Sequence, residues 1–137
     1  MPAISRDDMV EHLADLDRVA PGVKLIVLFG SAAKGSARPR SDLDIAVSGD
    51  GPVDLDALYV ELAPRLGTDR LDLVDLRTAG TVLGFEVARH GQALFERAPG
   101  AFRRFQALAS RRYCDTAKLR RAQRRAIQVF LDRQGLG

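Results

Sequence analysis

Apolar residues recur along this chain in two rhythms, and the switches between them lay out its elements. Met9, Val10, Leu13 and Leu16 return to one face at helical spacing. With Ser5 and Asp8 set as a capping-box-like start, they predict a helix from about Asp7 to Val19, stopped by Pro21-Gly22. From Lys24 to Phe29 a run of strand formers reads as a buried central strand that ends on Gly30-Ser31. Small and basic residues from Ala32 to Arg40, broken by Gly35 and Pro39, predict a mobile connection. Asp42 to Val47 then alternates carboxylates with Leu43, Ile45 and Val47, the period of a strand with one face on the core. Asp54 to Leu66 predicts a second helix with Leu55, Leu58, Tyr59 and Leu62 on one side, its last turn unsettled by Pro64. Arg70 to Leu76 reads as a strand, Ala79 to His90 as a helix capped by Gly91, and Ala93 to Phe95 as a short strand.

Beyond Pro99-Gly100, residues 101–131 have a helical pattern, with Phe102, Phe105, Leu108, Ala109, Ala126, Val129 and Phe130 as candidate buried positions. A continuous helix would repeat Arg104, Arg111, Lys118 and Arg125 every seven residues as a basic stripe. Alternatively, Asp115 caps a second, shorter helix. The predicted fold class is α/β (α+β), a small mixed sheet flanked by helices with a helical C-terminus.

Composition narrows this further. A chain of 137 residues with 46% hydrophobic content closes one core, here assigned as residues 1–99 with 100–137 as a basic helical extension of the same domain. No repeat, low-complexity tract or long linker divides it. The lone Cys114 can form neither an internal disulfide nor a thiolate metal site, and it reads as a small packing residue in a protein of a reducing compartment. No apolar run approaches the roughly 18 residues of a membrane span, so the expectation is a cytoplasmic protein without membrane contact. The net charge of +3 hides an asymmetry: residues 1–99 hold 11 Lys/Arg against 16 Asp/Glu, whereas residues 100–137 hold 10 against 2. Such a basic block is either a solvated helix face or an attractor for an acidic partner.

The chemistry concentrates between Gly30 and Asp72. One residue between Asp42 and Asp44 puts both carboxylates on one face of a strand, close enough to bridge two divalent cations about 3.5–4 Å apart. Alone, such a pair reads as solvent-facing acids on an edge strand. Gly30, ending a buried strand, lets backbone approach a phosphate, and Ser31 adds a hydroxyl and an N–H donor. Alone, that dipeptide is a plain turn. Their combination is specific: strand, Gly30-Ser31, a loop with Lys34, Arg38 and Arg40, then Ser41-Asp42-Leu43-Asp44 on a second strand. His12 and His90 read as surface or capping residues, and Tyr113 as core, interface or ligand contact.

The stretch Leu28 to Val47 resembles the signature of the DNA polymerase β-like nucleotidyltransferase superfamily. More narrowly, it is similar to the minimal nucleotidyltransferases (MNT), prokaryotic antitoxins found beside HEPN-domain toxins. The similarity extends through Leu71–Leu76, His90–Glu96 and Arg112–Asp115. It implies Mg2+ (two ions) held by Asp42, Asp44 and a third carboxylate, matched to Asp72 with Asp75 as rival on the opposite strand face. It also implies nucleotide binding by Gly30, Ser31, Lys34 and Ser41. Lys34 stands where such proteins often carry arginine, which keeps the charge and loses the bidentate fork. The implied function is transfer of AMP from ATP to a tyrosine of a partner HEPN toxin ribonuclease, within a hetero-oligomer and with a protein favoured over nucleic acid as partner. The alternatives are a small-molecule acceptor of the aminoglycoside type, and an antitoxin that neutralises by binding alone.

Overall fold

The computed structural model describes residues 4–35 and 42–135. Strands β1 (Val23–Phe29), β2 (Leu43–Gly49), β3 (Leu71–Asp75) and β4 (Gln92–Glu96) form one sheet in the order β3-β2-β1-β4. β1 is central, antiparallel to both β2 and β4, and β2 runs parallel to β3. The sheet is mixed and helix-flanked, as the order of elements predicts.

Both faces of the sheet are covered, which explains why β2 buries Ile45, Ala46 and Val47 in succession rather than alternating. One face packs Ile26, Leu28, Ile45 and Val47 against α1 (Arg6–His12), α2 (Leu16–Val19) and α4 (Leu55–Leu66). The other packs Leu25, Val27 and Ala46 against Val87 of α5 (Gly80–His90), with Phe102 and Phe105 of α6 (Ala101–Asp115) alongside. A short helix, α3 (Gly30–Ala33), follows β1 directly, and α7 (Ala117–Arg133) closes the order.

Several boundaries depart from the pattern. The first helix is two pieces, because the chain turns at residues 13–15 to bury both Leu13 and Leu16 completely. Ser5 accepts from the Asp8 N–H at 3.2 Å, and Asp15, which precedes α2, pairs with Arg65 at 2.6 Å. Pro64 does not end α4: the helix runs on to buried Leu66 and stops at Gly67, in the left-handed region at φ 68°. Gly91 does end α5, but its backbone is extended, and glycine is needed for space. A Cβ there would overlap the Val87 carbonyl and the Val27 side chain, wedging β4 off β1.

The C-terminal stretch breaks at Thr116, so the seven-residue basic stripe is split between two helices, and Asp115 ends α6 rather than capping α7. Helix α6 packs on α5 and buries Ala109. Helix α7 buries none of its residues: Leu119, Ile127, Val129 and Phe130 are exposed, Phe130 at 60%. Ala126, Val129 and Phe130 are therefore not core positions, and Leu108 is exposed as well. Cys114 is exposed rather than packed. Tyr113 of α6 has its ring stacked on Phe85 of α5, with centroids 4.0 Å apart, and covered by the Arg120 guanidinium of α7, 3.7 Å from the ring centre. No described helix is long and apolar enough to cross a membrane.

Candidate active site

Strand register assembles the site. Phe29 pairs with Asp44 across β1 and β2, and Asp44 pairs with Asp72 across β2 and β3. The end of β1 and the starts of β2 and β3 therefore meet at one end of the sheet. Gly30 sits there at φ 72°, and a Cβ built on it would overlap the Asp44 carboxylate. The glycine's lack of a side chain thus serves Asp44 first, where the sequence alone points to phosphate. Beyond it the chain enters α3 rather than a plain turn.

Asp44 is half-buried, and its carboxyl is held above the ordinary carboxylate range. Burial is the largest cause, and the charges of Asp72 and Asp42 add to it. Asp42 lies just before β2 and is exposed, as is Asp72. Among the described residues, no three His, Cys, Asp or Glu side chains are already drawn into a metal-holding cluster. The donor chemistry nevertheless fits a divalent cation. Three hard oxygen donors that repel one another at Asp44 are what a magnesium ion neutralises, and it fills its other positions with water.

Asp75 occupies the opposite face. It is only 8% exposed, and its Oδ2 accepts from the Val53 N–H at 3.1 Å while Oδ1 accepts from the Arg77 N–H at 2.9 Å. Both oxygens are engaged in holding turns. Lys34, the C-cap of α3, places its ammonium 3.2 Å from the Glu86 carboxylate of α5. Ser41, Arg38 and Arg40 lie outside the described residues. His12 and His90 stay away from the carboxylates: His12 Nδ1 is 2.9 Å from the Arg65 carbonyl, and His90 is 4.0 Å from Glu86.

Two positioning residues escaped the sequence reading. Gln92 donates from Nε2 to the Ala33 carbonyl at 2.8 Å, tying the end of α3 to β4. Glu86 anchors Lys34. The available signal was a polar residue inside an otherwise apolar element, Gln92 before Ala93-Leu94-Phe95 and Glu86 within the α5 pattern.

Comparison with known proteins agrees with this fold. A protein adenylyltransferase MntA from Aphanizomenon flos-aquae (strain 2012/KM1/D3) is 28% identical across 85% of this chain and 85% of its own length. A chain of a crystal structure of a toxin-antitoxin with AMP-PNP superposes with a TM-score of 0.71 at 30% identity, over 91% of this chain and 99% of its own. A chain from the complex of tri-AMPylated Shewanella oneidensis HEPN toxin with MNT antitoxin gives a TM-score of 0.67 at 30% identity, over 90% and 99%. The family described as polymerase beta, nucleotidyltransferase matches residues 11–99, a span that holds all four strands together with Gly30, Asp44 and Asp72. The chain belongs to the polymerase beta nucleotidyltransferase family.

Proposed function

We propose that this chain is an antitoxin that transfers AMP from ATP to a tyrosine of a partner HEPN toxin ribonuclease in the cytoplasm. The observation that carries the reading is the placement of Asp44 over Gly30 and in register with Asp72, with Asp42 beside it. Two magnesium ions held by Asp42, Asp44 and Asp72 would supply neutralisation of charge on the attacking and leaving oxygens. The residues of the chain do the rest. Gly30 keeps the approach to Asp44 open, Ser31 and Ser41 offer donors to the nucleotide phosphates, and Lys34 stands ready to exchange Glu86 for a phosphate. Alignment of the acceptor falls to the partner, since orientation is a large part of such catalysis.

The partner's docking face, in this reading, includes α7. Its six Lys/Arg against Asp132, and an apolar stripe through Leu119, Ile127 and Phe130 that the body leaves open, support a protein partner. Incubating the chain with labelled ATP, magnesium and a HEPN toxin should label the toxin, and no labelling of any HEPN protein would overturn the reading. Phe130→Ala should weaken toxin binding roughly tenfold, and reversing Arg104, Arg111, Lys118 and Arg125 to Glu should weaken it steeply at low salt. Toxin binding unchanged by both substitutions would sink the docking role, as would a loss confined to RNA binding.

A further inference from the structure

At the end of the sheet away from Asp44 and Asp72 lies a cavity of about 410 Å³, between the ends of β2 and β3, the start of α5 and the side of α6. Gly49, at this end, is five positions along the strand from Asp44, about 17 Å. The volume falls within the range of small-molecule sites. Arg77 and Arg112 both line it, and both are exposed. Neither guanidinium has an ion-pair or hydrogen-bond partner among the described residues, whereas Arg65 and Arg97 are each held by carboxylate and carbonyl oxygens. Asp50, the acid on the rim, is held by Arg97 through two bonds of 2.7 and 2.8 Å, so its charge is already answered.

The walls are fixed in advance. Buried Asp75 holds the Arg77 N–H and the Val53 N–H, and so pins the turn that carries Arg77 and the loop facing it. The floor is apolar, with Phe105 and Leu108 of α6 and Leu76 after β3. Gly80 and Thr81, the first residues of α5, also face the cavity, and Ala79 gives that helix no side-chain cap. Arg77 on the turn after β3, and Arg112 one turn beyond the apolar Phe105–Leu108 stretch of α6, suit an anion joined to an apolar body.

We propose that this cavity is a second ligand site that binds a nucleoside monophosphate, its phosphate between Arg77 and Arg112 and its base on the Phe105–Leu108 floor. The site is independent of the transfer chemistry and shares no residue with it. Amide NMR of the full chain, titrated with AMP in the absence of divalent cations, tests it. Saturable shifts are expected at Gly51, Gly80 and Thr81, with inorganic phosphate competing. The pair Arg77→Ala and Arg112→Ala should raise the apparent Kd by at least about tenfold. Gly51→Leu should do the same by bulk, since a Cβ there lies 3.9 Å from Arg77 Nη1 and leaves both charges in place. Shifts confined to residues around Gly30 and Asp44 would overturn the proposal. So would an absence of shifts at millimolar AMP, or an affinity unmoved by either variant.

Discussion

The two ends of the sheet treat their carboxylates in opposite ways. Where β2 and β3 finish, Asp75 accepts two backbone N–H groups and Asp50 is gripped by Arg97, whose hydrogen bond holds the Asp50 carboxyl below its ordinary range. Where β2 and β3 begin, Asp44 and Asp72 stand directly opposite each other with Asp42 nearby, and Asp44 is displaced upward by burial and by like charge. Acids that meet donors hold the fold together, whereas acids set against each other work against it unless something positive arrives. Asp44 is such a site of local conflict, the kind that folds tolerate where function needs it.

Substitutions at the two ends should separate these roles. Asp44→Asn should lower AMP transfer at least about a hundredfold, as measured with labelled ATP and a HEPN toxin, because a charged cation ligand is lost. A variant that labels at near wild-type rate would erase the contrast. Asp75→Ala should destabilise by about 1–3 kcal/mol in denaturant unfolding, leaving two N–H groups without their acceptor, while the folded fraction keeps its transfer rate. A loss of transfer without loss of stability would move Asp75 into the site. The smallest effect tests the conflict itself. In metal-free buffer at neutral pH, Asp44→Asn should be more stable than wild type by about 0.2–1 kcal/mol, since it removes a directly opposed like charge. The raised carboxyl binds its proton more tightly in the fold than in the unfolded chain. Wild-type stability from this group is therefore full below the ordinary carboxylate range and declines as pH rises through the raised value, so the advantage of Asp44→Asn should close on acidification.

The sheet and its carboxylate pair were legible because their signals are local and periodic. β1 announces itself by an apolar run, β2 by alternation, and register then brings Asp72 to Asp44 without further information. What escaped depends on contacts distant in sequence. The turn at residues 13–15 answers to Arg65, the requirement for glycine at position 91 comes from Val27, and the position of α3 depends on Gln92. Helix α7 is the instructive failure. Its apolar spacing is as regular as that of α4, but periodicity states that a face is to be covered and not by what. Leu58, Leu62 and Leu66 find their cover within the chain, while Ile127 and Phe130 do not.

The joint between α6 and α7 bears on how such a helix can be used. Arg120, in the first turn of α7, donates to the Tyr113 carbonyl at 2.9 Å and to the Thr116 hydroxyl, while its guanidinium covers the Tyr113 ring that Phe85 supports from α5. All but Phe85 lie within eight residues of one another, so the elbow is set by its own neighbourhood and braced at one point on the body. A 17-residue helix carried on such an elbow behaves as a strut rather than a tether. A partner docking there, as proposed, would meet a surface already aimed and lose little rotational freedom in aligning it. Loosening the elbow would turn the same residues into a flexible arm, equal in composition and charge but slower to find one geometry.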